Sequence, residues 1–356
     1  MRLLLLFLSI ICAFSPILAQ KDFEKVKNYY HNNQNFHGVM LVASNGAIDY
    51  LSANGIASRQ NETAITTKTK FKVASITKTF TALMILKLRE ENKIDLAATI
   101  GKYLPEYQGE AKSKASIHHL LTYSSGIPNC EGDGGIEVYQ SQLTVDDFIT
   151  KHCSGNLEFE PGKQFNYNNA DYIILGRIIE KITGKSFGEN LHEMIVDPLE
   201  MRDTDMLSNK DIISGLAETY NYDDSTKLFY RDAPMYIENY FASGAMYSTA
   251  EDLLKFDQGI FNHKLLTKKS VDLMLTPYPE LYGVAYGFWV TENTYGTKTF
   301  LAANRQGSIW GANADWLHLI NENKTFIVIS NTDAANLPAL TEQLVLVATG
   351  QPAKTN

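Results

Sequence analysis

The sequence predicts an α+β fold, in which one antiparallel sheet is built from both chain ends, flanked by helices and interrupted by a mostly helical insert. Three observations lead there. Near the N-terminus, Gly38-Val39-Met40-Leu41-Val42-Ala43 and Ala47-Ile48-Asp49-Tyr50-Leu51-Ser52-Ala53 flank Ser44-Asn45-Gly46, and Asn-Gly between two apolar runs is a strong hairpin signal. The C-terminal part again alternates like strands, at Tyr286–Val290, Lys298–Ala302, Asp315–Ile320 and Thr325–Ser330. Between these regions the periodic segments repeat mainly at helical spacing. Residues 20–350 therefore read as one unit, with a sheet part at about 20–70 plus 240–350 and a helical part at about 71–239.

Taken in order, Asp22 to Asn33 predicts a first helix, followed by the hairpin. A polar stretch from Gln60 to Lys70 leads to a long amphipathic helix from Thr77. Phe80, Leu83, Met84, Leu86 and Leu88 lie on or near one face of it, with Lys87, Arg89, Glu90 and Glu91 largely opposite. Residues 94–107 read as a connector, with Asp95 placed to cap a turn. Ser116 to Tyr123 predicts a helix stopped by Gly126 and Pro128. Asn129 to Gln142, rich in Gly and acidic residues, reads as a loop. Thr144 caps a helix to His152, with Asp146 and Asp147 in its first turn. An extended piece from Glu158 to Asn169 precedes an apolar helix carrying Tyr172, Ile173, Leu175, Ile178, Ile179 and Ile182, with Gly184 as its stop. Phe187–Ile195 is helical and 205–240 is turn-rich without an assignment. Thr249 opens a helix to about Ile260. Further helices follow at Thr267–Leu275 and 336–349.

Composition and the chain ends narrow the function classes. Met1-Arg2, an apolar run from Leu3 to Leu18 and a small residue, Ala19, predict a secretory signal peptide over residues 1–19. The expected location is secreted or periplasmic. The run is short for a spanning helix, and Ile11 before Cys12 is not the small residue that lipoprotein processing wants. Loss of Arg2 with the signal moves the formal charge from −8 to −9. An acidic, evenly mixed surface argues against a nucleic-acid partner. The eight histidines form no ligand-spaced cluster, and His118 and His119 are adjacent, so they point different ways on a helix. No metal and no cofactor are expected. Cys130 and Cys153 remain, and the sequence leaves their pairing open. Asn61-Glu62-Thr63 and Asn323-Lys324-Thr325 are sequons whose use is also open.

The stretch that carries chemistry is Phe71-Lys72-Val73-Ala74-Ser75-Ile76-Thr77-Lys78. Positions i and i+3 share a helix face, so Ser75 Oγ and Lys78 Nζ can meet at the first turn. Unpaired backbone N–H groups and the helix dipole there favour developing negative charge. A lysine in a partly desolvated pocket has a lowered pKa and can take the serine proton. The alternative for the same residues is an N-capping serine beside a solvated lysine.

Four stretches together resemble the serine β-lactamase and penicillin-binding-protein superfamily, in the branch of class C β-lactamases, D-Ala-D-Ala carboxypeptidases, D-aminopeptidases and related esterases. They are Ser75-Ile76-Thr77-Lys78, then His119-Leu120-Leu121-Thr122-Tyr123-Ser124-Ser125-Gly126-Ile127-Pro128. Next come Phe159-Glu160-Pro161-Gly162 with Phe165-Asn166-Tyr167-Asn168-Asn169-Ala170, and Ser243-Gly244-Ala245-Met246-Tyr247-Ser248 continuing to Leu253. The resemblance implies Ser75 as nucleophile, Lys78 as the residue sharing its proton, and Tyr167 as a phenol that acts as general base and then as acid. A tyrosine pKa near 10 means Tyr167 needs cations close by. By the same resemblance Asn169 is the amide donor that holds substrate and Lys78. Tyr167 and Asn169, at i and i+2 of an extended stretch, are expected to point the same way.

The third family element departs from pattern. Lys-Thr-Gly or His-x-Gly is usual, whereas this chain aligns Arg305-Gln306-Gly307-Ser308. Gly307 meets the need for bare backbone beside the substrate, and the resemblance pairs the Ser308 N–H with that of Ser75 as an oxyanion hole. Each such donor is worth ~3 kcal/mol of barrier. Arg305 is expected to bind a carboxylate; it cannot shuttle a proton. A surface salt bridge is its alternative role. Trp310 follows, where Pro is common; Trp289 and Trp316 read as core or sheet-face residues.

The expected function is that of a secreted serine hydrolase forming an acyl-enzyme at Ser75, on an amide, ester or D-amino-acid peptide. D-Ala-D-Ala carboxypeptidase, D-aminopeptidase and β-lactamase activities are the alternatives within enzymes. A poorly catalytic binding or sensing homologue, suggested by Arg305 and Gln306, is the alternative outside them. The expected partner is a small-molecule or peptide substrate, with no stable membrane insertion after signal removal.

Overall fold

Asn45 (φ 51°) and Gly46 (φ 78°) take left-handed backbone, the geometry a two-residue hairpin turn requires. They fold strand β1 (Gly38–Ser44) against β2 (Ala47–Asn54). The computed structural model describes residues 16–354, so most of the expected signal peptide lies outside the described residues. Helix α1 runs Pro16–Gln34. Among the described residues no helix is long and apolar enough to cross a membrane.

The other edge of β1 receives the C-terminal strands. With β3 (Trp289–Tyr295), β4 (Lys298–Ile309), β5 (Ala312–Leu319) and β6 (Lys324–Ser330), the six-stranded sheet has the order β3-β4-β5-β6-β1-β2, antiparallel throughout. Both chain ends thus build one sheet, as expected. Side chains alternate between its faces. Met40, Val42, Phe326 and Val328 meet Phe23, Val26 and Leu344 of α1 and the C-terminal helix Leu337–Ala348. Val39, Leu41, Ile327 and Ile329 join the larger core shared with the helical part. Cover on both faces explains why β1 and β6 are buried almost throughout.

Several strand limits differ from expectation. β4 continues past Ala302 to Ile309, β5 starts at Ala312, and β3 starts at Trp289 rather than Tyr286. Asn304, Gln306 and Ser308 are polar and face the open side, which breaks the apolar alternation that marks a strand in sequence.

Helix α2 (Thr77–Glu90) keeps Lys87, Arg89 and Glu90 part-exposed, as the amphipathic reading expects, but corrects it over the first turns. Thr77–Leu86 and Leu88 are all buried, because the helix passes through the middle of the molecule. Apart from Lys78, its polar residues there are threonines satisfied by backbone carbonyls: Thr77 Oγ1 donates to Ala74 O, Thr79 to Gly287 O and Thr81 to Ala242 O, each at 2.7 Å. The apolar helix α3 (Ala170–Thr183) packs beside α2. The stretch 129–142, expected as loop, contains 3₁₀ turns between Gly132 and Tyr139, interrupted by non-helical backbone at Gly135. The unassigned 205–240 region holds a hairpin, Tyr220–Asp223 with Leu228–Arg231, and short pieces.

Candidate active site

Phe71-Lys72 pairs with Tyr247-Ser248, and Val73 N–H donates to Met246 O at 3.0 Å, which delivers the chain to a 3₁₀ turn at Ala74–Ile76. Ser75 lies in this turn, one step before α2. Ala74 before it has φ 47°, a strained backbone held by its surroundings. Gly307 of β4 passes directly over the turn: a Cβ there would stand 2.3 Å from Val73 O and 3.0 Å from Ser75 N. Only a glycine lets the strand come so close.

Lys78, fully buried, reaches back from the first turn of α2. Its Nζ donates to Ser75 Oγ (3.0 Å), Asn169 Oδ1 (2.7 Å) and Ser243 O (2.8 Å). Tyr167 Oη donates to Ser75 Oγ at 2.8 Å and accepts from Arg305 Nη2 at 3.1 Å. Burial, with Arg305 close by, pulls the Lys78 ammonium down to about 8. For Tyr167, burial pushes upward, but the charges of Lys78 and Arg305 overcome it and hold the phenol at about 7. Two groups whose ordinary values lie near 10 thus come together close to neutrality, both hydrogen-bonded to Ser75 Oγ.

The backbone that presents Tyr167 is pinned from below. Asn166 N–H donates to Tyr123 O (2.8 Å). The buried Asp171 carboxyl accepts from Ser125 Oγ (2.5 Å) and Asn168 Nδ2 (3.1 Å), while Asn168 Oδ1 accepts from Asp171 N–H (2.8 Å). Burial pushes the Asp171 carboxyl well up. Tyr167 and Asn169 do face the same centre, but not through an extended stretch: Asn169 has helical backbone (φ −85°, ψ −28°) as the N-terminal boundary of α3.

Ser75, Tyr167, Trp289, Asn304, Arg305, Gln306 and Ser308 line a cleft of about 430 Å³. The two-residue turn Trp310-Gly311 makes Ile309 and Ala312 the closing pair of β4 and β5. By the antiparallel alternation, Gly307 and Arg305 then bond β5, and the N–H groups of Gln306 and Ser308 face the opposite edge. β3 stops pairing at Asn304, so that edge borders the cleft. This is the side on which an oxyanion donor from Ser308 is needed.

A sequence model of the Beta-lactamase family matches residues 23–348. The chain belongs to that family. Penicillin-binding protein 4* of Bacillus subtilis (strain 168) is 27% identical over 318 residues, covering 84% of this chain and 68% of that protein. Teichoic acid D-alanine hydrolase of Staphylococcus aureus (strain MRSA252) is 26% identical over 273 residues, covering 75% of this chain and 66% of that protein. The chain thus spans about two thirds of the length of these curated relatives. Among solved structures, D-amino acid amidase from Ochrobactrum anthropi SV3 superposes with a TM-score of 0.80 at 20% identity, over 93% of this chain and 99% of that one. The octameric penicillin-binding protein homologue from Pyrococcus abyssi gives 0.78 at 24% identity, over 93% and 77%. These likenesses show the fold. As a member of the Beta-lactamase family, the protein is a serine hydrolase.

Against the family pattern, Arg305 corrects two expectations. It is not a surface salt-bridge residue, because its side chain is fully buried. Nor is it an open carboxylate clamp: Nε donates to Ser75 O (2.8 Å), Nη1 to Tyr123 Oη (3.1 Å) and Nη2 to Tyr167 Oη. Its guanidinium also lies 5.6 Å from the Tyr167 ring centroid and 5.2 Å from that of Trp289. Trp289 stands in the cleft wall beside Tyr167, whereas Trp316 is core and donates to Asp257 at 2.8 Å.

Sequence reasoning missed Glu131 and Tyr139. Both bond Asn169 from a stretch whose glycines and acidic residues signal only a loop. Tyr123 and Ser243 lay inside quoted family stretches without a role; the structure brings the Tyr123 hydroxyl to Arg305 and the Ser243 carbonyl to Lys78. Cys130 and Cys153 are both buried free thiols.

Proposed function

We propose that the protein is a secreted serine hydrolase that cleaves an ester or amide of a D-amino acid through an acyl-enzyme at Ser75. The observation that carries this is Ser75 Oγ held between Lys78 Nζ at 3.0 Å and Tyr167 Oη at 2.8 Å. A pair poised near neutrality is what general-base activation of a serine needs.

In the first half-reaction the Tyr167 phenolate takes the Ser75 proton as Oγ bonds to the substrate carbonyl carbon. The N–H groups of Ser75 and Ser308 receive the oxyanion. The intermediate collapses, the bond to the leaving group breaks, and Tyr167 returns the proton to that group. Water then attacks the ester at Ser75 with the same pair as base, releasing the acid and restoring the hydroxyl. Lys78 stays an ammonium whose charge favours the phenolate. Arg305 supports the same charge without exchanging a proton.

The D-amino acid assignment draws on the names of the relatives, a teichoic acid D-alanine hydrolase and a D-amino acid amidase. Export draws on the apolar N-terminus with its single Arg2. The test is a panel of p-nitrophenyl butyrate, a D-alanine ester and its L-isomer, a D-Ala-D-Ala peptide and nitrocefin, run on the mature protein and its Ser75→Ala variant. Ser75-dependent turnover that favours the D-alanine ester supports the reading. Turnover confined to nitrocefin, or none at all from folded protein, removes it.

A further inference from the structure

Lys78 depends on Asn169, and Asn169 has two ways to sit. An asparagine amide is nearly symmetric in shape, so only its partners decide which end faces Lys78. Lys78 Nζ is a pure donor and needs Oδ1 at 2.7 Å. Behind the amide, Nδ2 donates to Glu131 Oε1 at 3.1 Å and to Tyr139 Oη at 3.0 Å. Tyr139 alone cannot fix the amide, because a hydroxyl both donates and accepts. Glu131 removes that freedom: its Oε1 also takes the Tyr139 proton, at 3.2 Å. A carboxylate only accepts, so the chain of donors runs one way, from Lys78 through Asn169 to Glu131. Flipping the amide would set Oδ1 against a carboxylate and Nδ2 against an ammonium.

The stretch bearing these residues is built into the site wall. Tyr139 is buried and stacks on Tyr240 with ring centroids 3.7 Å apart. Tyr236 N–H donates to Tyr139 O (2.8 Å), and Asn239 Nδ2 donates to Ser141 O (2.7 Å). The Cys130 thiol lies 3.3 Å from Tyr139 Oη. The same wall continues to Ser243, whose carbonyl is the third partner of Lys78.

We propose that Glu131 is a positioning residue of the active site, acting through Tyr139 and Asn169 to hold the Asn169 amide oxygen on Lys78. This rests on the assignment of Lys78 and Tyr167 as the pair that activates Ser75. Tyr167 is faced by Lys78, Arg305, Tyr123 and Ser75, with Glu131, Tyr139 and Cys130 behind Asn169; a fault in the Asn169 orientation reaches Tyr167 through Lys78.

The test is a titration of Tyr167 by tyrosinate absorbance, taken as the difference between each protein and its Tyr167→Phe counterpart. Glu131→Ala and Glu131→Gln lose the same charge, but Gln keeps a carbonyl acceptor, so their difference reports the acceptor alone. Glu131→Ala is expected to raise the Tyr167 midpoint by about one unit relative to Glu131→Gln, the scale of one lost hydrogen bond to a charged group. Labelling of Ser75 by a fluorophosphonate at pH 7 should fall roughly fivefold in step. Both differences should vanish in an Asn169→Ala background, since the effect runs through that amide. Equal midpoints for Ala and Gln, or a difference that persists without Asn169, overturn the proposal. If Glu131→Ala fails to fold, Glu131→Asp, which keeps the charge and withdraws the acceptor by one methylene, is judged against wild type by the same midpoint. The titration needs no turnover: failure of wild type to label at Ser75 strikes the proposed function, while an unmoved midpoint strikes only the role of Glu131.

Discussion

Arg305 Nη2 donates to Tyr167 Oη at 3.1 Å, and the same guanidinium holds the Ser75 carbonyl at 2.8 Å. One permanently charged group therefore touches both the phenol and the backbone of the serine it faces. A lysine or histidine there could trade its proton with the site; an arginine supplies only field and geometry.

Replacing Arg305 by Met should raise the Tyr167 pKa, because one of the two cations opposing burial is gone. The base works only when deprotonated, so kcat/KM rises with pH through the Tyr167 midpoint. The acid limb, expected near 7, should move up by about one unit or more, lowering the rate at pH 6 roughly tenfold or more and recovering part of it at pH 9. Arg305→Lys, which keeps a charge and loses the fork, should fall between. A pH–kcat/KM profile checks this; an unmoved acid limb in Arg305→Met refutes it.

Gly307→Ala would drive a methyl into Val73 O and the Ser75 N–H. Neither contact is a flexible side-chain end, so strand and turn must separate, at about 1–3 kcal/mol of stability. Because the displaced atoms belong to the nucleophile turn, fluorophosphonate labelling of Ser75 should fall far more than the thermal midpoint. Labelling at the wild-type rate would show that the close approach is not needed.

Asp171→Ala would leave the buried Ser125 Oγ without its acceptor and Asn168 Nδ2 with only Asn166 O. The expected loss is about 2–4 kcal/mol in urea unfolding. Asp171→Asn, which keeps one acceptor oxygen, should lose less. A loss below about 1 kcal/mol for the Ala variant would mean that the stretch carrying Tyr167 is held by other bonds.

The sequence made legible what depends on spacing. Ser75 and Lys78 meet because three residues make most of a helical turn, and the Asn45-Gly46 hairpin and the terminal strands follow from turn chemistry and alternation. What depends on the third dimension was not legible. Arg305 reads as a carboxylate-binding residue, or else a surface charge, until β4 places it beneath Tyr123 and Tyr167, where aromatic walls and hydroxyls bury it. Burial all round the first turns of α2 was not legible, because threonines can bond neighbouring carbonyls and sit in a core as well as on a surface; Lys87, Arg89, Glu90 and Glu91 keep the exposure their spacing implies. Glu131 and Tyr139 carry no local signal, since a Gly-rich acidic run has the composition of any loop and their partner Asn169 is distant in sequence.

The most direct test of the account is intact-protein mass spectrometry after rapid acid quenching of enzyme mixed with a D-alanine ester. The account predicts an adduct of one D-alanyl group, mapped by peptide digestion to Ser75, absent from Ser75→Ala and increased when Tyr167→Phe slows the second half-reaction more than the first. Turnover of the ester with no adduct under any quench, or an adduct on a residue other than Ser75, would contradict it.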